Sequence, residues 1–231
     1  MTFRTPRTES PVLIQDDVPN FSHVILFASE TKCMFSVFQW EREKKGHFSL
    51  FLLAFAKDIT PQSLISLAKH NTNLLIALST KQTALTSLAA EFSLTPAPPN
   101  TPLISYFSER DDDTPFNVIP IPLEPENDKK NLISLTSSNT APVWYSGTSM
   151  LLGNNPLIVP ILNAPSHAFA SDVDGGSADS LVDASERGGE GLWAGSQLGL
   201  VTGFQTRNGA RVVWTGGVEL FSDEFAQKLV A

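Results

Sequence analysis

LGLVTGFQTRNGARVVWTGGVELFSDEFAQKLVA, residues 198–231, decides how this chain is read. Two apolar runs, 198–204 and 210–215, flank a polar turn at 205–209. In that turn Asn208 and Gly209 are residue types that tight hairpins favour, because both accept positive φ at low cost. Gly216 and Gly217 end the second run. Ser222 or Asp223 is then placed to cap a short amphipathic helix that runs to the C-terminus.

Working outward, the stretch from residue 58 alternates helix and strand. Thr60 followed by Pro61 reads as an N-cap and first helical position. Leu64, Ile65, Leu67 and Ala68 give a 3.6-residue stripe, and His70 with Asn71 closes that helix. Residues 73–79 read as a buried strand, and 83–92 as a second helix with Leu85, Leu88, Ala89 and Phe92 turned inward. Short links between such elements predict an α/β fold, a Rossmann-like layered sheet closed by the C-terminal β-hairpin and short helix.

The remaining elements are shorter. Residues 12–14 and 23–28 are strand candidates, with too few residues between them for a parallel crossover. They form an antiparallel pair, or the first is not a strand. Residues 33–57 place two aromatic-rich runs around a charged centre, which fits a hairpin or a broken helix. Residues 95–102 (TPAPPNTP) read as a proline-rich loop and 103–107 as a strand. Pro120 and Pro122 confine the candidate 118–121 to an edge. Segments 141–145 and 150–152 read as strands around a turn at 146–149, and 157–162 as an apolar run. Residues 171–191 hold five of the 14 glycines and read as a flexible surface loop. No internal repeat and no second core is visible. The expectation is one domain over 1–231, with 1–10 a loose arm and 33–57 an atypical insertion.

Composition narrows the chemistry. With 231 residues and 42% hydrophobic content the chain is long enough to bury a core. A net charge of −8 without a basic stripe argues against nucleic acid. The strongest apolar run, 48–56, is far short of the ~20 residues that span a bilayer, and the N-terminus lacks an export-signal core. Read as written, the chain is soluble. Cys33 is the single cysteine, so neither an internal disulfide nor a thiolate metal site follows. His23, His47, His70 and His167 have no second ligand at metal-binding spacing. The stretch from Asp172 to Asp179 departs from a calcium loop, with its first glycine at the fourth position.

Gly147, Thr148, Ser149, Met150 and Leu151 fail the nucleophile-elbow pattern at the last residue. Neither phosphate-binding glycine motif occurs. The reading therefore carries no catalytic set, no cofactor and no metal. Asp16 and Asp17 remain a candidate, since ligands of open α/β sheets bind at strand carboxyl ends. Capping of the next element is the competing role for them. Asn20, Phe21 and Ser22 form an N-glycosylation sequon.

The closing stretch resembles the end of the N-terminal luminal domain in the DDOST/WBP-type 48 kDa subunit family of oligosaccharyltransferase. The residues that carry the likeness are Gln205, Arg207, Asn208, Ala210, Arg211 and Gly216, followed by Phe221, Ser222 and Asp223. Residues 74–94 and the segment from Asn154 to Pro165 are similar to family elements too, so the resemblance extends over 58–231. Residues 12–17 resemble the family's first strand, which ends in paired aspartates. The link between 17 and 24 is shorter than the family's, residues 33–57 have no counterpart, and the signal peptide, later luminal domain and membrane helix are lacking. The resemblance thus implies a truncated chain with an insertion.

The resemblance further implies a non-catalytic structural subunit acting in N-linked glycosylation, on the luminal side of the endoplasmic reticulum membrane. Its partners would be other subunits of the complex, including the catalytic one. Gln205, Arg207, Asn208, Gly209, Arg211, Phe221 and Phe225 are the structural hairpin and interface candidates. The alternative is a soluble α/β enzyme or nucleotide-binding protein with its site near Asp16 and Asp17.

Overall fold

The computed structural model describes residues 13–28, 37–41, 48–52, 61–106, 116–122, 142–171 and 192–222. In chain order the strands are β1 (Ile14–Gln15), β2 (Val18–Pro19), β3 (His23–Phe27), β4 (Val37–Glu41) and β5 (Phe48–Leu52). Helix α1 (Pro61–Lys69), β6 (Asn73–Ala77), helix α2 (Ala84–Glu91), β7 (Leu94–Pro96) and β8 (Ile119–Ile121) follow. Then come β9 (Val143–Tyr145), β10 (Met150–Leu152), β11 (Ile158–Asn163), β12 (Phe169–Ser171) and β13 (Leu192–Ala194). The last strands are β14 (Leu198–Gln205) and β15 (Arg211–Thr215).

One nine-stranded sheet dominates, in the order β4-β5-β3-β6-β15-β14-β10-β7, with β11 also paired to β14. Strands β5, β3, β6 and β15 run parallel, and the other pairings are antiparallel. The fold is therefore mixed α/β with a mainly sheet core. Parallel strands need a crossover connection, and α1 lies in the one from β5 to β6, which are parallel with β3 between them. Leu64, Leu67 and Ala68 of α1 are buried, as are Leu85, Leu88 and Ala89 of α2. Both stripes share one core with Val24, Leu26, Leu74, Ile76, Val212 and Trp214, alternate residues of β3, β6 and β15. Trp214 is 1% exposed and packs on Phe92 at 5.5 Å between ring centres. Each such buried side chain contributes roughly 1.5–3 kcal/mol. A second core, with Leu103, Ile119, Ile121, Tyr145, Leu162, Leu198 and Leu200, fills the antiparallel half.

Several sequence expectations change. Asp16 and Asp17 do not end a parallel strand. They have φ of 51° and 62° and form the exposed two-residue turn between β1 and β2. Paired positive φ is what such a turn needs, and aspartate tolerates it better than most residues. The first strand is shifted to Ile14–Gln15 and pairs with β2 rather than with β3. Conversely, in the turn between β14 and β15 only Gly209 has positive φ, at 92°, and Asn208 does not. Gly209 N donates to Thr206 O at 3.0 Å and Thr206 N to Ala210 O at 2.9 Å, a wider loop ending in a glycine bulge.

The proline-rich loop starts later than expected, because Leu94–Pro96 pairs with β10 at the sheet edge, where a missing N–H is tolerated. In place of a strand at 103–107, Ile104 makes one isolated bridge to Phe169. Of the two readings for 33–57 the hairpin applies, with β4 and β5 antiparallel. The arm 1–10, the terminal helix with Phe225, and the glycine-rich loop beyond Ser171 lie outside the described residues. A 3-10 turn at Glu219–Phe221 precedes that helix position.

Candidate functional site

The carboxyl end of the parallel strands is where open α/β sheets usually bind ligands. At the end of β15 that position is filled by backbone. The segment from Tyr145 to Ser149 crosses the end of β15 and is buried throughout. Thr148 N donates to Gly216 O at 2.7 Å, and Gly216 N to Leu200 O at 3.0 Å. Leu103 N donates to Gly147 O, Ala97 N to Ser149 O and Leu78 N to Thr215 O, each at 2.8 Å. Tyr145 Oη donates to Thr148 O.

Glycine makes this interlock possible. A Cβ on Gly216 would collide with Thr148 O and with the Tyr145 hydroxyl. One on Gly147, whose φ is 149°, would collide with Gly216 O. Burial, reinforced by the nearby Glu219 carboxylate, pushes the Tyr145 phenol far above its ordinary value. It remains protonated and serves as a fixed donor rather than as an acid or base.

Ser149 lies in this interlock, completely buried, and its Oγ has no hydrogen-bond partner among the described residues. A nucleophilic hydroxyl needs a base within hydrogen-bond reach. His23 and His70 sit at the opposite end of the strands and are exposed. Among the described residues no three of His, Cys, Asp and Glu come together around one metal position. No helix among the described residues is long and apolar enough to cross a membrane.

The amino end of the strands is built from polar latches. Asn208 Nδ2 donates to Lys69 O at 2.7 Å, fixing the β14–β15 turn to the end of α1. Arg211 N donates to Asn73 Oδ1 at 2.9 Å. Asn73 N donates to Ser22 O at 2.9 Å, and Thr72 Oγ1 to Phe21 O at 2.9 Å. Gln205, Arg207, Asn208, Gly209 and Arg211 gather here, all exposed. Phe221 is separated from them at the carboxyl end. It stacks edge-on against Phe27 at 5.3 Å and is 48% exposed.

Sequence reasoning missed the interlock. Its signal was the glycines in YSGTS and WTGGV, each just after a strand with an aromatic residue in its last two positions. Read locally, they mark only turns. The site reading at Asp16 and Asp17 loses its premise, because the pair belongs to a surface hairpin.

Comparison with known proteins places the chain. A family model described as "OST48, N-terminal domain" matches residues 47–231. The match begins ahead of residue 58 and takes in β5. Subunit WBP1 of the dolichyl-diphosphooligosaccharide–protein glycosyltransferase from Saccharomyces cerevisiae is 35% identical over 95 residues, 38% of this chain and 19% of that protein. The 48 kDa subunit of the same enzyme from Drosophila melanogaster is 33% identical over 88 residues, 38% of this chain and 17% of that protein. The chain thus spans less than a fifth of the length of the curated relatives it matches.

Proposed function

This chain belongs to the OST48 N-terminal domain family, and from that premise we propose that it works as a non-catalytic subunit of the oligosaccharyltransferase complex. Its process is N-linked glycosylation of proteins, and its place is the luminal side of the endoplasmic reticulum membrane. The single observation that carries this reading is the family match over 47–231. The interlock of Tyr145, Gly147 and Gly216 supports the accessory role, since backbone takes the position over the end of β15 where such a sheet could hold a ligand.

In this reading the parallel half, β5-β3-β6-β15, is the Rossmann-like part of the fold, and the β14–β15 hairpin with the terminal segment closes it. Asn208, Gly209 and Arg211 act as scaffold, holding the hairpin on α1 and β6. Gln205 and Arg207 decorate that hairpin. Phe221, half-exposed at the other end, is the contact residue toward other subunits, the catalytic one among them, and Phe225 is assigned with it.

Two measurements test the proposal. Membranes depleted of the chain lose oligosaccharide transfer to an acceptor peptide and regain it on re-supply. The purified chain alone transfers nothing. Turnover by the purified chain would overturn the accessory role, and undiminished transfer by depleted membranes would overturn membership in the complex.

A further inference from the structure

We infer that Asn20 is itself a site of N-linked glycosylation, so that this chain is a substrate of the chemistry it is proposed to assist. Asn20, Phe21 and Ser22 make up the sequon, and no other Asn in the chain has Ser or Thr two residues on with a residue other than proline between. The folded structure treats the three residues differently. Phe21 is anchored inward: its ring packs against the main core, and its carbonyl accepts from Thr72 Oγ1 at 2.9 Å. Ser22 is half-buried, its carbonyl held by Asn73 N at 2.9 Å and its Oγ 3.0 Å from His23 Nδ1. Asn20 is exposed, in the bend between β2 and β3, with its backbone N donating to Leu13 O at 3.0 Å. The anchored phenylalanine therefore leaves the neighbouring asparagine at the exposed surface, the setting in which a bulky, solubilising glycan is carried.

The same contacts set the order of events. Recognition of the sequon needs the Ser22 hydroxyl as well as Asn20, and in the folded domain Ser22 is tied into the start of β3. Transfer therefore precedes docking of β3 against β6. In the transfer the Asn20 side-chain nitrogen bonds to C1 of the first sugar of a lipid-diphosphate-linked oligosaccharide. The bond from C1 to the diphosphate oxygen breaks, the lipid diphosphate departs with that electron pair, and the amide proton passes to a base. The glycan then covers the amino end of the parallel strands, the end where Asn208 and Arg211 latch the hairpin. A partner is thereby left the other surfaces, in keeping with a scaffold role for the hairpin.

The inference rests on the proposed location only for delivery of the chain to the compartment where transfer occurs. The test separates the two. The full chain is expressed in eukaryotic cells behind a cleavable leader for the endoplasmic reticulum, with a second acceptor sequon on an appended C-terminal tail as a delivery control. Endoglycosidase-sensitive mobility shifts and mass spectrometry of the Asn20 peptide are read for wild type, Asn20→Gln, Ser22→Ala and Ser22→Thr. The expected result is two glycans on wild type and Ser22→Thr, and one on Asn20→Gln and Ser22→Ala. A modified tail with an unmodified Asn20 overturns the inference, whatever the chain binds. A glycan on Asn20 in a chain that captures no oligosaccharyltransferase subunit upholds the inference and counts against the proposed function.

Discussion

The two ends of the parallel strands are held by different means. At the amino end, side chains on the surface grip backbone: Asn208 on Lys69 O, Asn73 on Arg211 N. At the carboxyl end, backbone grips backbone through buried glycines, with Tyr145 completing the weave. A surface hydrogen bond exchanges readily with water, so its loss costs little. A close-packed backbone crossing has no such substitute, and any added atom must displace main chain. The carboxyl end is therefore the rigid, intolerant one, and the amino end is free to vary and to carry a glycan.

This contrast orders the expected effects. Gly216→Ala is the most damaging, on the order of 3 kcal/mol from overpacking against immovable backbone, with Gly147→Ala close behind it. Urea denaturation measures both, and a loss below ~1 kcal/mol would show that the interlock gives way easily. Next is Tyr145→Phe, at about 1 kcal/mol for the lost hydrogen bond. This variant also changes the pH response. The folded-state pKa of Tyr145 is raised above the unfolded value of ~10. Its stabilising effect is thus complete below pH ~10 and is lost as pH rises further, at up to about 1.4 kcal/mol per pH unit. Chemical denaturation across pH 9–11 should show a shallower alkaline decline in Tyr145→Phe than in wild type. Equal slopes would mean that the phenol ionises within the fold.

At the amino end Asn208→Ala should cost about 0.5–1 kcal/mol, seen as a small fall in the urea midpoint. Arg207→Ala should stay within ~0.5 kcal/mol, as an exposed side chain beside the Asn208 latch rather than part of it. A larger loss for Arg207→Ala than for Tyr145→Phe would reverse the contrast between the ends.

What could be read from the sequence follows the range of the interactions. Helices α1 and α2, strand β6 and the β14–β15 hairpin rest on local periodicity and turn chemistry, and they were legible. Their buried faces were legible too, from Leu64 to Phe92. The conformations of Asp16, Asp17 and Asn208 were not, because Asp and Asn accept either sign of φ and the paired strands decide. The interlock was least visible, since it joins Gly147 to Gly216 and Leu103 to Gly147 across long stretches of chain. The parallel pairing of β3 with β5 is equally non-local. For the candidate site, the sequence located the exposed hairpin residues and could not divide them. The structure sets Asn208 and Arg211 on latches at one end and Phe221 on Phe27 at the other.

If the domain is docked in the complex as proposed, its carboxyl end, rather than its hairpin turn, meets the other subunits. Site-specific photocrosslinking tests it most directly. A photoreactive residue is placed at position 221 or at position 207 of the full chain, in endoplasmic reticulum membranes, and the captured proteins are identified by mass spectrometry. Capture of another oligosaccharyltransferase subunit is expected from position 221 and none from position 207. Capture from position 207 alone, or from neither position, would contradict it.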